Sequence, residues 1–216
     1  MRRLADVQKM RVVEVDDRKP PVETVETEVV IVGGGLGGVA AALAACQAGR
    51  SVCLIEETQW LGGQATSQGV TALDENGYIE TTGAARTYQA LRNAIRDDYR
   101  RNTKLKPAPA ADPHFNPGRN WGLLAFEPKV ALRVIDEMLA PHLVAGKLHV
   151  LKRTKPFAVS MKGPRIEHVD LVDLDTGRRC RAKGIMFIDA SELGDLLGLG
   201  AADFVTGAES REQTGE

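Results

Sequence analysis

Three glycines at fixed spacing are the residues of this sequence best suited to chemistry. Gly33, Gly35 and Gly38 form a GxGxxG pattern between an apolar run and a stretch rich in alanine and leucine. The first glycine permits a tight turn, the second lets the backbone approach a pyrophosphate, and the third lets a helix pack closely on a strand. The start of that helix offers free N–H groups and a positive dipole end to phosphates. The pattern therefore predicts a dinucleotide site.

Two acidic residues mark the end of the next apolar run. Glu56 follows the first glycine by about 20 residues, the spacing at which a carboxylate accepts hydrogen bonds from ribose hydroxyls. A carboxylate at this position would also repel a 2′-phosphate. We therefore predict cofactor contacts at Glu56 and at the neighbouring Glu57, together with Leu36 at the start of the helix.

The elements around the glycine turn must bring these residues together. Residues 28–32 and 51–55 are rich in valine and isoleucine or leucine, which predicts two buried parallel strands. Between them, residues 36–48 are mainly small and apolar and predict a helix that Gly49 ends in a left-handed conformation. This strand, helix and strand unit predicts an α/β fold of the Rossmann-like kind.

Two longer helices and one long loop are predicted further along the chain. The spacing of apolar residues predicts an amphipathic helix over residues 84–101, with its charges on a solvated face. A second amphipathic helix is predicted to begin at Pro128 and to be stopped by Pro141. Residues 107–122 are rich in proline and glycine and predict a long loop without regular structure.

The remaining segments complete the predicted domain organisation. Residues 1–26 are mostly polar and predict an N-terminal extension whose first part is loosely ordered. Residues 27–216 are predicted to form one domain, with a loop and helical insertion at about residues 67–126. Four further strands are predicted at residues 148–151, 157–161, 166–174 and 179–188. The last three of these strands predict an antiparallel β-meander, because turn residues separate them.

Composition argues against several classes of partner. Lys and Arg number 28 against 29 Asp and Glu, so neither nucleic acid nor a membrane surface is indicated. The three cysteines and four histidines show no metal-ligand spacing, and the cysteines form neither a CxxC pair nor a secreted disulfide framework. No stretch reads as a signal peptide or a transmembrane helix. We expect a cytoplasmic protein without a metal site.

A second glycine block and a later strand end extend the pattern towards a known family. The blocks VVIVGGGLGGVAAALAACQAGRSVCLIEE, WLGGQATSQGV, FEPKVALRVIDEML and FIDASELGDLLGLGA follow one another along the sequence. Together they resemble the FAD-dependent oxidoreductases related to the flavoprotein subunits of fumarate reductase type. The resemblance runs from about Glu26 to the end of the chain.

The resemblance implies an FAD-binding domain of the glutathione-reductase-like kind, with a parallel sheet, helices and an antiparallel meander. It implies the pyrophosphate at Gly33 to Gly38 and the adenosine ribose at Glu56. Further cofactor contacts are implied near the flavin, the adenine and a returning strand end, at Gly62, Gly63, Gln64, Ala65, Pro156 and Ala190. The sequence departs from the family at Ser191 and Glu192, where Thr-Gly is common.

The main hypothesis is an FAD enzyme that takes a hydride or an electron pair from an organic small molecule. The resemblance implies that the substrate-facing part of such an enzyme lies largely beyond Glu216, so the chain is expected to be an N-terminal fragment. One alternative is a truncated or degenerate flavin-binding module without turnover, and another is an NAD-binding domain. The sequence indicates no catalytic residue and no oligomeric state.

Overall fold

A computed structural model describes residues 1–119 and 122–215 of the chain. In chain order the strands are β1 (Arg2–Asp6), β2 (Arg11–Val15), β3 (Glu23–Glu26), β4 (Val29–Val32), β5 (Val52–Glu56), β6 (Leu148–Lys152), β7 (Thr154–Lys162), β8 (Arg165–Asp173), β9 (Arg179–Lys183) and β10 (Met186–Asp189). The helices are α1 (Leu36–Gln47), α2 (Arg86–Asn102), α3 (Pro107–Ala111), α4 (Pro128–Val144), α5 (Asp195–Leu199) and α6 (Arg211–Thr214). A 3-10 turn covers Gly63–Ala65.

The central sheet is parallel, in the order β10, β4, β5, β6. Strands β4 and β5 are buried along their whole length, as their continuous apolar runs predict. Helices α1 and α4 cover one face of this sheet, and the sheet formed by β7, β8, β9 and β3 covers the other. Helix α1 ends before Gly49, whose φ is 81°. The predicted Rossmann-like α/β class is confirmed.

The predicted third strand of the meander is in fact two strands. Strand β9 pairs antiparallel with β8, whereas β10 leaves that sheet and pairs parallel with β4. The chain changes sheets at Gly184, where a Cβ would lie 2.9 Å from Val30 Cγ2. The N–H groups of Ile185 and Met186 both donate to the Glu28 carbonyl at 3.0 Å. A continuous run of strand-forming residues does not show where the chain bends from one sheet into another.

The N-terminal residues form an ordered hairpin, so the expectation of a loosely ordered start is wrong. Strands β1 and β2 pair antiparallel along five residues. Val13 and Val15 of β2 are buried in a small cluster with Phe157 and Val172 of the meander. These valines alternate with exposed residues, but the strand that they pack against follows about 140 residues later, so nothing nearby in the sequence reveals their partner.

The 67–126 segment, predicted as an insertion, is built around α2. The predicted helix is confirmed, but its charges do not all face solvent. Arg92 and Arg96 are each 1% exposed and pair with acidic residues of the preceding loop. Arg92 bonds to both Glu75 and Glu80, and Arg96 Nη2 lies 2.5 Å from Glu80 Oε1. The predicted solvated face is therefore wrong for these two arginines, which pair with carboxylates of the loop in the interior, whereas other charged residues of the helix are exposed.

Two proline predictions also need correction. The predicted loop at residues 107–122 contains α3, in which Pro107 stands at the first helical position, where the missing N–H costs nothing. Residues 120 and 121 of that loop lie outside the described residues. Helix α4 continues past Pro141 to Val144. This proline lies in the last turn, so it removes one hydrogen bond without ending the helix.

Candidate dinucleotide-binding site

A cavity of about 340 Å³ opens at the carboxyl ends of the central strands. Parallel strands bring their carboxyl ends to one edge, and ligands of open α/β sheets bind there. The walls come from the segments that follow β4, β5, β6 and β10, and they include Gly33, Gly35, Glu56, Glu57, Thr58, Thr154, Lys155, Pro156, Ala190, Ser191 and Glu192. The glycine turn and the acidic strand end therefore face one space.

The three glycines of the turn have three different surroundings. Gly33 has a φ of 103°, and a Cβ on it would lie 2.1 Å from the Ala190 carbonyl oxygen. A Cβ on Gly38 would lie 1.9 Å from the Gly33 carbonyl oxygen, so this glycine permits α1 to contact the turn. A Cβ on Gly35 would meet only Glu192 Oε1, at 3.6 Å, among the described atoms within 4 Å. Gly35 therefore presents bare backbone to the cavity.

The start of α1 is suited to an anion. Gly35 is the N-cap residue, and no side chain of the described residues caps the helix. The first N–H groups of an α-helix have no partner inside the helix, and together with the helix dipole they attract phosphate. This cradle of backbone donors fits a pyrophosphate. The carboxylate of Glu192 lies over this cradle, on an exposed side chain.

Glu56 connects the turn to the end of β5. It is 8% exposed, and its Oε2 accepts a hydrogen bond from the Gly34 N–H at 2.8 Å. Its Oε1 accepts from the Thr58 N–H at 2.8 Å. Because each carboxylate oxygen has a second acceptor position, both can still accept bonds from ribose hydroxyls. A Cβ on Gly34 would come 2.6 Å from Leu61 Cδ2, a constraint that the GxGxxG pattern does not predict.

A charged pair lies beside this carboxylate on the cavity wall. Glu57 Oε2 accepts a hydrogen bond from Lys155 Nζ at 2.6 Å, so the second predicted acid is already paired. Across the cavity, burial raises the pKa of the Asp195 carboxyl; Lys155 opposes this shift, and the negative charges of Glu57 and Asp189 add to it. Asp189 itself accepts a hydrogen bond from the Leu196 N–H at 2.8 Å, so its carboxylate is bound to the first turn of α5.

The second glycine block packs directly against the first. The Gly62 N–H donates to the Gly34 carbonyl at 2.7 Å, and Gly35 and Gly62 form a parallel bridge. A Cβ on Gly63 would lie 3.0 Å from the Gly35 Cα. A separate surface turn would have no need of such a close approach. The second glycine block therefore extends the cradle of backbone groups at the glycine turn, in the direction away from Glu56.

The structure brings together seven of the twelve predicted site residues. Those that line the cavity are Gly33, Gly35, Glu56, Glu57, Gly63, Pro156 and Ala190. The other five do not line the cavity. Ala65 belongs to the apolar core and Leu36 packs against it, Gly38 contacts Gly33, Gly62 bonds to Gly34, and Gln64 is exposed.

Several residues that line the cavity do not belong to any motif that the sequence shows. Lys155, Gln68 and Asp195 come from segments that only the fold brings to the cavity. Glu192 did carry a signal, because it stands where the resembling family commonly has glycine. Gln68 Nε2 donates to Glu192 Oε1 at 2.9 Å, and both residues line the cavity together with Gly35.

A parallel sheet with a glycine turn at a helix start and a carboxylate at the next strand end defines a Rossmann-like dinucleotide-binding protein. A sequence profile described as FAD dependent oxidoreductase matches residues 28–216. The chain therefore belongs to the FAD-dependent oxidoreductase family, and FAD is the cofactor of this oxidoreductase family. No curated protein sequence matches the chain.

Two solved structures with TM-scores above 0.5 support the fold. The chain is similar to a geranylgeranyl bacteriochlorophyll reductase-like protein from Thermoplasma acidophilum, with 17% identity, a TM-score of 0.51, and coverage of 86% of this chain and 44% of that one. A flavoprotein/dehydrogenase from Cytophaga hutchinsonii gives 14% identity with the same TM-score and coverage. L-proline dehydrogenase from P. horikoshii gives 19% identity and a TM-score of 0.41, with coverage of 80% of this chain and 24% of that one. The chain thus spans less than half of each of these proteins.

No described helix is both long enough and apolar enough to cross a membrane.

Proposed function

We propose that the cavity at the carboxyl ends of β4, β5 and β6 binds FAD. Bare backbone at Gly35, facing the same space as the Glu56 carboxylate, is the observation that carries this proposal. The start of α1 and the glycine turn hold the pyrophosphate through N–H groups. Glu56 accepts from the adenosine ribose, the adenine extends towards Pro156, and the flavin side extends past Gly63 and Ala190.

The reaction that we propose is the oxidation of an organic small molecule. Bound FAD supplies a ring system that accepts a hydride or an electron pair. The residues of this chain bind and orient the cofactor, and the paired Lys155 and Glu57 keep the wall beside the ribose locally neutral.

The same proposal extends to domain organisation and compartment. Residues 27–216 form the FAD-binding domain, with residues 67–126 as an insertion between β5 and α4. All three cysteines, Cys46, Cys53 and Cys180, are free thiols. Free thiols in this number support a reducing cytoplasm as the compartment.

The test is an FAD titration followed by flavin fluorescence and absorption, on wild type and on Glu56→Ala. The loss of a charge-assisted hydrogen bond to ribose should weaken FAD binding by about 1.5–3 kcal/mol. Glu26→Ala removes an exposed acid at the end of β3, outside the cavity, and should leave the affinity unchanged. Thermal unfolding of both variants separates a lost contact from a lost fold.

Three outcomes would count against the proposal of an FAD enzyme with turnover. A wild-type chain that cannot be loaded with FAD removes it altogether. Binding of NAD with FAD excluded favours the NAD-binding domain. Tight FAD binding without reduction by any organic donor favours the module that holds flavin and has no turnover.

A further inference from the structure

The tip of the N-terminal hairpin reaches the dinucleotide cavity. Val7 and Gln8, in the turn between β1 and β2, line its wall together with Pro156 and Leu174. Val7 is 71% exposed, which leaves most of an apolar side chain uncovered at the edge of the cavity. The matched family region begins at residue 28, so the hairpin lies outside it.

A buried arginine fixes the position of this tip. Arg153 Nη2 donates to Asp6 Oδ2 at 2.6 Å, and the side chains are 4% and 0% exposed. Arg153 Nη1 donates to Gln8 Oε1 at 3.1 Å and to the Glu57 carbonyl at 3.0 Å. One guanidinium group therefore joins the hairpin to the residue that follows Glu56. The hydrogen bond from Arg153 also holds the pKa of Asp6 at about 2.

The strained backbone of Arg153 also indicates that this residue is held in a fixed position. Its φ is 55°, in the left-handed region that non-glycine residues seldom adopt. Such a conformation persists only where the surrounding contacts fix it. Those contacts include Asp175 Oδ1, which accepts from Arg153 Nη2 at 3.1 Å, and the Leu174 N–H, which donates to the Arg153 carbonyl at 2.7 Å.

The order of the strands indicates which part of a dinucleotide meets the tip. The glycine turn follows β4, Glu56 ends β5, and Thr154 to Pro156 follow β6, the next strand across the sheet. A nucleotide with its pyrophosphate at α1 and its ribose at Glu56 places its base beyond β5, on the β6 side. The hairpin tip stands at this end, because Arg153 links it to the segment after β6.

The two tip residues suit a purine base. Val7, Pro156 and Leu174 provide apolar surface of the kind that packs on a flat ring. Gln8 must direct Oε1 towards Arg153, because a guanidinium group only donates hydrogen bonds. Its amide nitrogen therefore keeps N–H donors, which bond to no described residue and can donate to an adenine ring nitrogen.

We propose that the N-terminal hairpin forms the adenine wall of the FAD site. Val7 packs against the adenine, the Gln8 amide donates to a ring nitrogen, and Arg153 is the positioning residue that holds both. This proposal rests on the proposed function, since it assumes that a nucleotide occupies the cavity. It adds a binding element that the GxGxxG unit and the matched family region do not contain.

The test compares variants of the full chain in titrations with FAD and with ADP. Val7→Asp places a charge against the base and should raise the Kd for both ligands about tenfold. Val12→Asp alters another exposed valine of the hairpin, outside the cavity, and should leave both values unchanged. Gln8→Glu keeps an acceptor for Arg153 but removes the N–H donors, and should weaken both ligands about fivefold.

Tryptic cleavage provides a second measurement on the wild type. Lys9 and Arg11 lie at the tip and at the start of β2, and ADP should slow cleavage after them if the base packs on the hairpin. Arg153→Met should remove this protection, because the tip is no longer held.

The possible results separate the two proposals. If the wild type binds neither FAD nor ADP, both proposals fail. If it binds both and Val7→Asp binds them as Val12→Asp does, or ADP leaves cleavage unchanged, the adenine wall alone is overturned. Weaker FAD binding with unchanged ADP binding would also overturn it, since the tip would then contact another part of FAD.

Discussion

The strand, helix and strand unit (residues 29–56) and the 67–126 segment lie side by side but are held together differently. The unit is apolar, with two fully buried strands and a helix that contacts the turn through Gly38. The 67–126 segment instead buries charges, since Arg92 and Arg96 pair with Glu75 and Glu80. Apolar packing dominates in the first region, whereas the second combines apolar contacts of α2 with buried ion pairs.

The difference shows where each region is vulnerable. Apolar packing is spread over many contacts, so its weak points are places of closest approach. A buried ion pair stabilises only when every partner is present, because a single charge left in the interior is costly. Glu75 Oε2 and Arg92 Nε are buried without a hydrogen-bond partner among the described residues. The charged cluster therefore has no additional hydrogen bonds that could compensate for the loss of an ion pair.

The largest expected effect is the removal of a charge from the buried cluster. Arg92→Ala leaves Glu75 without its ion pair and should lower the free energy of unfolding by about 3–5 kcal/mol. Arg101→Ala removes an exposed arginine of the same helix, 3.6 Å from Glu137, and should change it by less than about 0.5 kcal/mol. Urea denaturation measures both values. Equal effects of the two substitutions would contradict a stabilising role of the buried ion pairs.

A double variant identifies the cause of that loss. Adding Glu75→Gln to Arg92→Ala removes the uncompensated charge and should recover part of the stability. If the double variant is less stable than Arg92→Ala, the loss comes from missing packing around the arginine stem and not from charge.

The next effect tests the close approach in the apolar unit. In Gly38→Ala the new Cβ would lie 1.9 Å from the Gly33 carbonyl oxygen, so α1 must move away from the turn. We expect a loss of about 3 kcal/mol and a much weaker affinity for FAD. Gly37→Ala is the matched control, because its Cβ would meet no described atom within 4 Å, and it should raise helix stability by up to about 1 kcal/mol. A tolerated Gly38→Ala would show that the unit is not closely packed here.

The same difference explains how much of the fold the sequence predicts. Strand β4, helix α1 and strand β5 lie within one residue of their predicted bounds, because an apolar run and a glycine are local signals. The helical spacing of α2 is local too, but the burial of Arg92 depends on Glu75, which lies 17 residues away. The docking of the hairpin depends on Asp6 and Arg153, which are 147 residues apart.

The residues of the candidate site also differ in whether a local signal in the sequence predicts them. Gly33, Gly35 and Glu56 follow from a motif whose spacing encodes its geometry, and all three line the cavity. The family resemblance implies contacts at Gln64 and Ala65, but no pattern tells which residues of a tight turn face inward. Val7 lines the cavity only because the folded chain brings the N-terminal hairpin to this edge of the central sheet.

The smallest expected effect concerns Glu192, which contacts the 67–126 segment and lies next to the glycine turn of the apolar unit. Gln68 of the 67–126 segment donates to Glu192, whose Oε1 would lie 3.6 Å from a Cβ on Gly35. A carboxylate so close to the proposed pyrophosphate site repels it, with an energy of about 1 kcal/mol for exposed charges near 4 Å apart. Glu192→Gln keeps the size of the side chain and removes the charge. The affinity for FAD should therefore rise by about twofold to fivefold.

Titrations at low and high salt test this charge effect. Screening weakens interactions between exposed charges, so the gain from Glu192→Gln should shrink as the ionic strength rises. Glu167→Gln, which alters an exposed acid of the meander outside the cavity, should give no gain at either salt concentration. Weaker binding by Glu192→Gln would mean that the carboxylate helps to hold the cofactor through its contact with Gln68. The 67–126 segment would then stabilise the site through a charged residue, just as it stabilises its own interior.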